Sequence, residues 1–182
     1  MADTSQPTVL DYATGSQWRL AFNRLPKMTW FCTAANVPGI NLGEAQYPTP
    51  LHDLYLIGDK LTFENLTINF IVDEELQNYR ELWNWIVGMG APRDYSQWTD
   101  ELKKGDGNVE QKGVNYSDSN FYSDATLLVY NSKNIPKVNV NFKNMFPTSL
   151  SSLEYSQELS DVEYFKATAS FRYFYYEFET AT

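Results

Sequence analysis

Along most of this chain, hydrophobic and polar residues alternate with a period of two. That period marks β-strands with one buried face. In residues 18–22, Trp18, Leu20 and Phe22 fall on one side. Residues 23–27 contain Pro26 and read as a turn, and residues 28–34 as a second strand, so the two are expected to form a hairpin. Val37-Pro38-Gly39-Ile40 is a turn, since Pro fixes φ and Gly accepts positive φ. Residues 40–47 and 52–57 are expected to pair as a long hairpin, with Pro48 and Pro50 at its tip, where they cost no ladder bonds. Gly58-Asp59-Lys60 reads as the next turn. In the strand that follows, Leu66, Ile68, Phe70 and Val72 alternate with Thr67, Asn69 and Ile71.

The period then lengthens. Asp73-Glu74-Glu75 is expected to open a helix, with Asp73 as its cap and the acids at the positive end of its dipole. Leu76, Tyr79, Trp83, Ile86 and Val87 recur at helical spacing and predict its buried face. Gly88, Gly90 and Pro92 end it. Residues 91–121 are polar and carry Gly105, Gly107 and Gly113, which predicts a long loop with a short helical turn near 97–104.

Strands resume at 123–130, with Leu127 and Val129 on one face. After a turn at 131–136, Val138, Val140 and Phe142 alternate with Asn139, Asn141 and Lys143. Residues 146–150 read as a bend, residues 153–160 are ambiguous, and 165–179 read as one last strand. Both faces of that strand become apolar near its end (Tyr173 and Tyr175 on one, Phe174 and Tyr176 on the other). Cover on both sides is therefore expected there. Residues 1–17 show no period and read as an arm. The expected fold is mainly β: a β-sandwich or barrel subunit at 18–182 with one α-helix and a polar insertion at about 91–121.

Composition narrows the function. With 182 residues, a single core is the simplest reading. Aromatics reach 16%, which suits strand packing and large buried interfaces. The formal net charge of −9 argues against sequence-specific nucleic-acid binding, which needs a basic footprint. It argues equally against docking on anionic lipid. One cysteine, Cys32, and one histidine, His52, exclude a disulfide within the chain and a Cys- or His-rich metal site. The first residues lack the basic and apolar regions of a secretion signal, and no apolar run approaches the roughly 18 residues of a membrane span.

No catalytic constellation stands out. His52 lies among prolines and reads as an exposed loop residue. Cys32 sits in a predicted strand without a basic neighbour to lower its pKa. Asp73, Glu74 and Glu75 are explained by a helix start, and Glu158, Asp161 and Glu163 by a solvated face, rather than by a glycosidase pair. Gly105-Asp106-Gly107-Asn108 lacks the acids and closing Glu of a calcium loop. No cofactor and no enzyme activity are expected. Long strands that are partly apolar on both faces, a projecting Pro-tipped hairpin and a negative surface instead suit a protein that completes its fold by assembly.

In order, Phe31-Cys32-Thr33-Ala34-Ala35-Asn36-Val37-Pro38-Gly39, the stretch from Gly58-Asp59-Lys60 to Ile68, Tyr79-Arg80-Glu81-Leu82-Trp83-Asn84-Trp85, Phe146-Pro147-Thr148-Ser149-Leu150 and the terminal strand resemble one family. It is that of the tail tube proteins of contractile-tailed, T-even-like bacteriophages. The stretch 90–121 is longer than the family usually carries. The resemblance implies a β-sandwich that joins into a continuous ring barrel on hexamerisation. Rings would stack into a hollow, negatively charged tube inside a contractile sheath, and DNA would pass through without specific binding. It further implies sheath, baseplate and tape-measure proteins as partners, a place in the virion after synthesis in the host bacterial cytoplasm, and no membrane. The hairpin would reach the adjacent ring and the helix would lie outside. The contact candidates are Leu42, Tyr47, Leu51, Leu54 and Tyr55, with ordinary core packing as the alternative for each. Two other readings are a tube subunit of a bacterial contractile injection or secretion system, and a monomeric carbohydrate-binding β-sandwich.

Overall fold

The computed structural model describes residues 14–102, 121–156 and 164–180. Most of the expected arm, the acids Glu158, Asp161 and Glu163, the Gly105–Asn108 stretch and the middle of the polar insertion lie outside the described residues.

The fold is mainly β, and every strand ladder is antiparallel. A first sheet runs β1 (Trp18–Phe22), β6 (Ser123–Tyr130), β7 (Pro136–Leu150), β9 (Tyr175–Thr180). A second runs from the far half of β7 through β8 (Lys166–Arg172) and β5 (Leu66–Ile71) to β2 (Cys32–Ala35). β7 therefore belongs to both. Its early residues pair with β6 and β9, and Phe146–Leu150 pair with β8. The crossover falls at Asn144, whose φ of 53° is left-handed. Asn tolerates that region better than most residues, and here its N–H also donates to Asp124 Oδ1 at 3.0 Å.

The two inner faces form one core. Leu20, Phe22, Leu127, Val140 and Phe142 from the first sheet meet Leu66, Ile68, Phe70, Ala169 and Phe171 from the second. The alternation read from the sequence is the one that is buried in β5, β6 and β8.

Helix α2 (Gln77–Gly90) lies against this core. It is joined by two short helices, α1 (Met28–Phe31) and α3 (Tyr95–Leu102). The described start of α3 falls within the expected insertion. Its first turn is held by Asp94, whose Oδ1 accepts the Ser96 N–H at 2.7 Å. The Ser96 hydroxyl donates to the same oxygen, and with the backbone bond it holds the Asp94 carboxyl below its ordinary pKa.

Several local expectations are corrected. Residues 28–34 are not one strand. Met28–Phe31 make a helical turn, and β2 then pairs with β5, so β1 and β2 form no hairpin. Gly58-Asp59-Lys60 do not turn the chain but run inside β4 (Leu54–Phe63). Asp73 does not cap α2: the helix begins after Leu76, which sits at φ 56°. The expected bend at 146–150 is the end of β7. The last strand is broken at Tyr173-Phe174 into β8 and β9, because both follow β7 around its corner.

The buried face of α2 also differs. Asn78, Leu82, Trp85 and Gly88 point inward, whereas Trp83 is 50% exposed. The expected stripe was phased from Leu76, which precedes the helix. Two residues along a helix is about 200° around it, so Trp83 and Trp85 take opposite sides. Trp85 Nε1 donates to Phe121 O at 2.9 Å, and its ring lies against Phe171. Asn78 is fully buried but satisfied: its Nδ2 donates to Ile71 O at 2.9 Å, and its Oδ1 accepts Asp73 N–H at 3.2 Å. It ties the end of β5 to the start of the helix.

Candidate assembly surface

β3 (Ile40–Tyr47) and β4 form a two-stranded sheet of their own, hydrogen-bonded to neither sheet of the sandwich. An isolated two-stranded ribbon is marginal in water, and this one is held at its root. Tyr173 and Tyr176 donate their hydroxyls to Glu64 O (2.9 Å) and Pro38 O (3.0 Å), the two points where the chain enters and leaves the ribbon. Phe63, the last residue of β4, packs against both tyrosine rings. Burial pushes the Tyr173 phenol up to about 12. Asn36 closes the root: its Nδ2 donates to Asn65 O (3.1 Å), and its Oδ1 accepts Thr67 N–H (2.6 Å).

Midway along the ribbon the register slips. Leu42 is opposite Leu61, but Glu44 is opposite Ile57, so Gly58-Asp59-Lys60 face Gly43 alone. The backbones nearly touch there: a Cβ on Gly58 would lie 2.5 Å from Gly43 O. Only glycine fits at such an approach. Bulges bend a ribbon and increase its twist.

Directly paired residues share a face. Beyond the bulge, Tyr47 is paired with Leu54 and Ala45 with Leu56. Before it, Ile40 is paired with Phe63 and Leu42 with Leu61 on the other face. Beyond the bulge Tyr55 and Ile57 keep to the face of Leu42 and Leu61, so the ribbon there is apolar on both faces. All five sequence candidates are exposed here: Leu42, Tyr47, Leu54 and Tyr55 on the strands, and Leu51, 93% exposed, in the tip. The ribbon brings Tyr47 and Leu54 together as cross-strand partners and sets Leu42 and Tyr55 apart from them. Ile40, Leu56, Ile57 (86% exposed) and Leu61 were not among the candidates. The unbroken apolar run Leu54-Tyr55-Leu56-Ile57 was the signal for Leu56 and Ile57, since a run without alternation has two apolar faces.

Of the other residues weighed, His52 is exposed in the tip. Cys32 is half-buried, and burial raises its thiol to about 11, the opposite of an activated nucleophile. No group of acids, His and Cys that could hold a metal occurs among the described residues. No helix among them is long and apolar enough to cross a membrane.

A sequence model of phage tail tube proteins matches residues 6–179. No curated protein matches the chain in sequence. Among solved structures, a chain of the anti-feeding prophage cap (AFP tube terminating cap) superposes with a TM-score of 0.56 at 16% identity, each chain covered over 100% of its length. A chain of the PVC sheath–tube complex of an extracellular contractile injection system, in its extended state, gives 0.56 at 13% identity, again over 100% of both. At such identities the likeness is one of fold.

Proposed function

Because the chain belongs to the phage tail tube protein family, we propose that it is the repeating subunit of a tail tube, in which hexameric rings stack into a hollow conduit for DNA inside a contractile sheath. The family is one of structural proteins rather than enzymes. The observation that supports the reading best is the β3–β4 ribbon. A chain able to bury Leu66, Ile68 and Phe70 completely leaves Leu42, Tyr47, Leu51, Leu54 and Tyr55 in water on an anchored projection. Exposed apolar surface on that scale marks an interface, and the ribbon's reach suits contact with the next ring.

Burying each such side chain contributes roughly 1.5–3 kcal/mol, against an association cost on the order of 4–15 kcal/mol. One ribbon is therefore a modest contact. Repetition around a ring makes each further contact intramolecular and turns modest contacts into a stable stack. A net charge of −9 per copy keeps phosphate from sticking to the conduit wall. Sheath, baseplate and tape-measure proteins would be its partners, and the virion its place after synthesis in the bacterial cytoplasm. The arm at 1–17 and the insertion at about 91–121 would be additions to the tube domain.

Negative-stain images of the purified chain test the reading, with tubes expected. Deleting residues 41–56 should leave a folded subunit, seen by circular dichroism, that forms no long tubes. Normal tubes from the deletion variant would remove the ribbon from the contact.

A further inference from the structure

Resting on the tube reading, we infer that Tyr173 and Tyr176 are positioning residues for assembly: their hydroxyls fix the direction of the β3–β4 ribbon in the free subunit, and that fixed direction sets the concentration at which tubes grow.

Among the described residues, no strand of the sandwich pairs with β3 or β4. Such a ribbon can swing only about the short segments at its base, since hinge motion is absorbed at a few element-terminal positions. Asn36 is held to β5, its N–H donating to Thr67 O at 3.3 Å. The segments that can bend are therefore residues 37–39, before β3, and residues 64–65, after β4. Here Glu64 N–H donates to Gly39 O at 3.0 Å, and Gly39 N–H donates to Glu64 Oε2 at 3.3 Å. These two bonds join one arm of the ribbon to the other. They do not set its angle to the body.

The tyrosines act at both segments. Tyr176 donates to Pro38 O on one arm, and Tyr173 to Glu64 O on the other. One bond would leave a pivot; two on opposite arms fix tilt as well as position. Both carbonyls lie outside the strands, so these bonds serve the base of the ribbon and complete no sheet.

The latch is seated in the core. Both tyrosine rings lie against the fully buried Phe142, with centroids 5.2 and 5.7 Å away, and against each other at 5.9 Å. They meet Phe63 of the ribbon at 5.8 and 5.7 Å. Phenylalanine would fill the same space. A hydroxyl carried into such apolar surroundings costs free energy unless it is bonded, and here both hydroxyls reach backbone of the ribbon's base. Phe142 stands two residues before Asn144, where β7 passes from one sheet to the other, so the ribbon takes its direction from the corner of the sandwich.

Direction matters because ordering a mobile segment on contact weakens association. A swinging ribbon loses its freedom at every contact it makes, whereas a held one has lost it on folding. In a repeating assembly each copy carries that difference.

Hydroxyl deletion in the full chain tests the latch. The variant Tyr173→Phe with Tyr176→Phe keeps both rings and should need on the order of tenfold more protein to grow tubes, the scale of one or two net hydrogen bonds. Tyr79→Phe is the matched control, because it removes a like bond outside the ribbon's base, from the Tyr79 hydroxyl to Ser151 O at 2.9 Å. It should leave that concentration unchanged. Spin labels on Glu44→Cys in the ribbon and Lys133→Cys in the β6–β7 turn, in a Cys32→Ser background below the concentration of tube growth, should give one narrow distance distribution. That distribution should broaden without the two hydroxyls. Circular dichroism checks each fold, and the two single variants carry the same comparison where the double variant unfolds. Equal distance distributions with and without the hydroxyls, an unchanged concentration for tube growth, or an equal rise with Tyr79→Phe would overturn the latch and leave the tube reading intact. A wild-type chain that forms no tubes at high concentration would overturn the tube reading, and with it the latch's part in assembly.

Discussion

The sandwich and the β3–β4 ribbon are built from similar residues and end in opposite states. β5 carries Leu66, Ile68 and Phe70, all fully buried. β4, two residues upstream, carries Leu54, Tyr55, Leu56, Ile57 and Leu61, all exposed. Both are antiparallel strands with paired backbones. What differs is whether the chain brings a second layer over them. β5 has the first sheet above it. The ribbon has only its root, where two tyrosine hydroxyls and Asn36 hold it to the body. Hydrophobic pattern reports that a surface is to be covered; it does not say by which molecule.

That contrast breaks most visibly at the two tryptophans of α2. Trp85→Ala should cost about 3–5 kcal/mol in urea unfolding, since a fully buried ring and its bond to Phe121 O are lost. Trp83→Ala, on the exposed side, should cost under about 1 kcal/mol. Equal losses would mean that α2 is rotated from the position described.

A smaller effect sharpens the ribbon's side. Gly58→Ala places a Cβ against Gly43 O and must open the crossing, at about 1–3 kcal/mol of local pairing. Amide exchange should rise in β3 and β4 while melting of the sandwich stays put. A lowered melting point would show that ribbon and sandwich unfold together.

The smallest effect concerns Cys32, on the border strand β2. Its folded pKa is raised from 9.0 to about 11 by burial. The folded chain thus holds a proton that the unfolded chain releases. Stability is fully present below about pH 9 and declines as pH rises toward 11. Alkylation of the thiol should follow a midpoint near 11; a midpoint near 9 would place Cys32 in water.

Much of this was legible in advance. β5, β6 and the early part of β7 follow from strict alternation, and α2 from its change of period. The ribbon follows from two apolar runs around Pro48 and Pro50. The errors share a cause. Gly58 was read as a turn because glycine usually permits one, whereas here it permits two backbones to approach. Leu76 was counted into the helix because it is apolar, although its backbone is left-handed. The paired corner in β7 and β8/β9 left no local mark, since each bend is stabilised by the other strand.

The sequence by itself determined most of the strands, the main helix, the acidic charge and the presence of apolar surface in excess of one core, because each of these is a property of neighbouring residues and their period. Only the tertiary structure decided that β7 serves two sheets, that Trp85 rather than Trp83 is buried, and that the ribbon stands apart from both sheets among the described residues. Those depend on contacts between residues far apart along the chain, whose geometry no local period encodes.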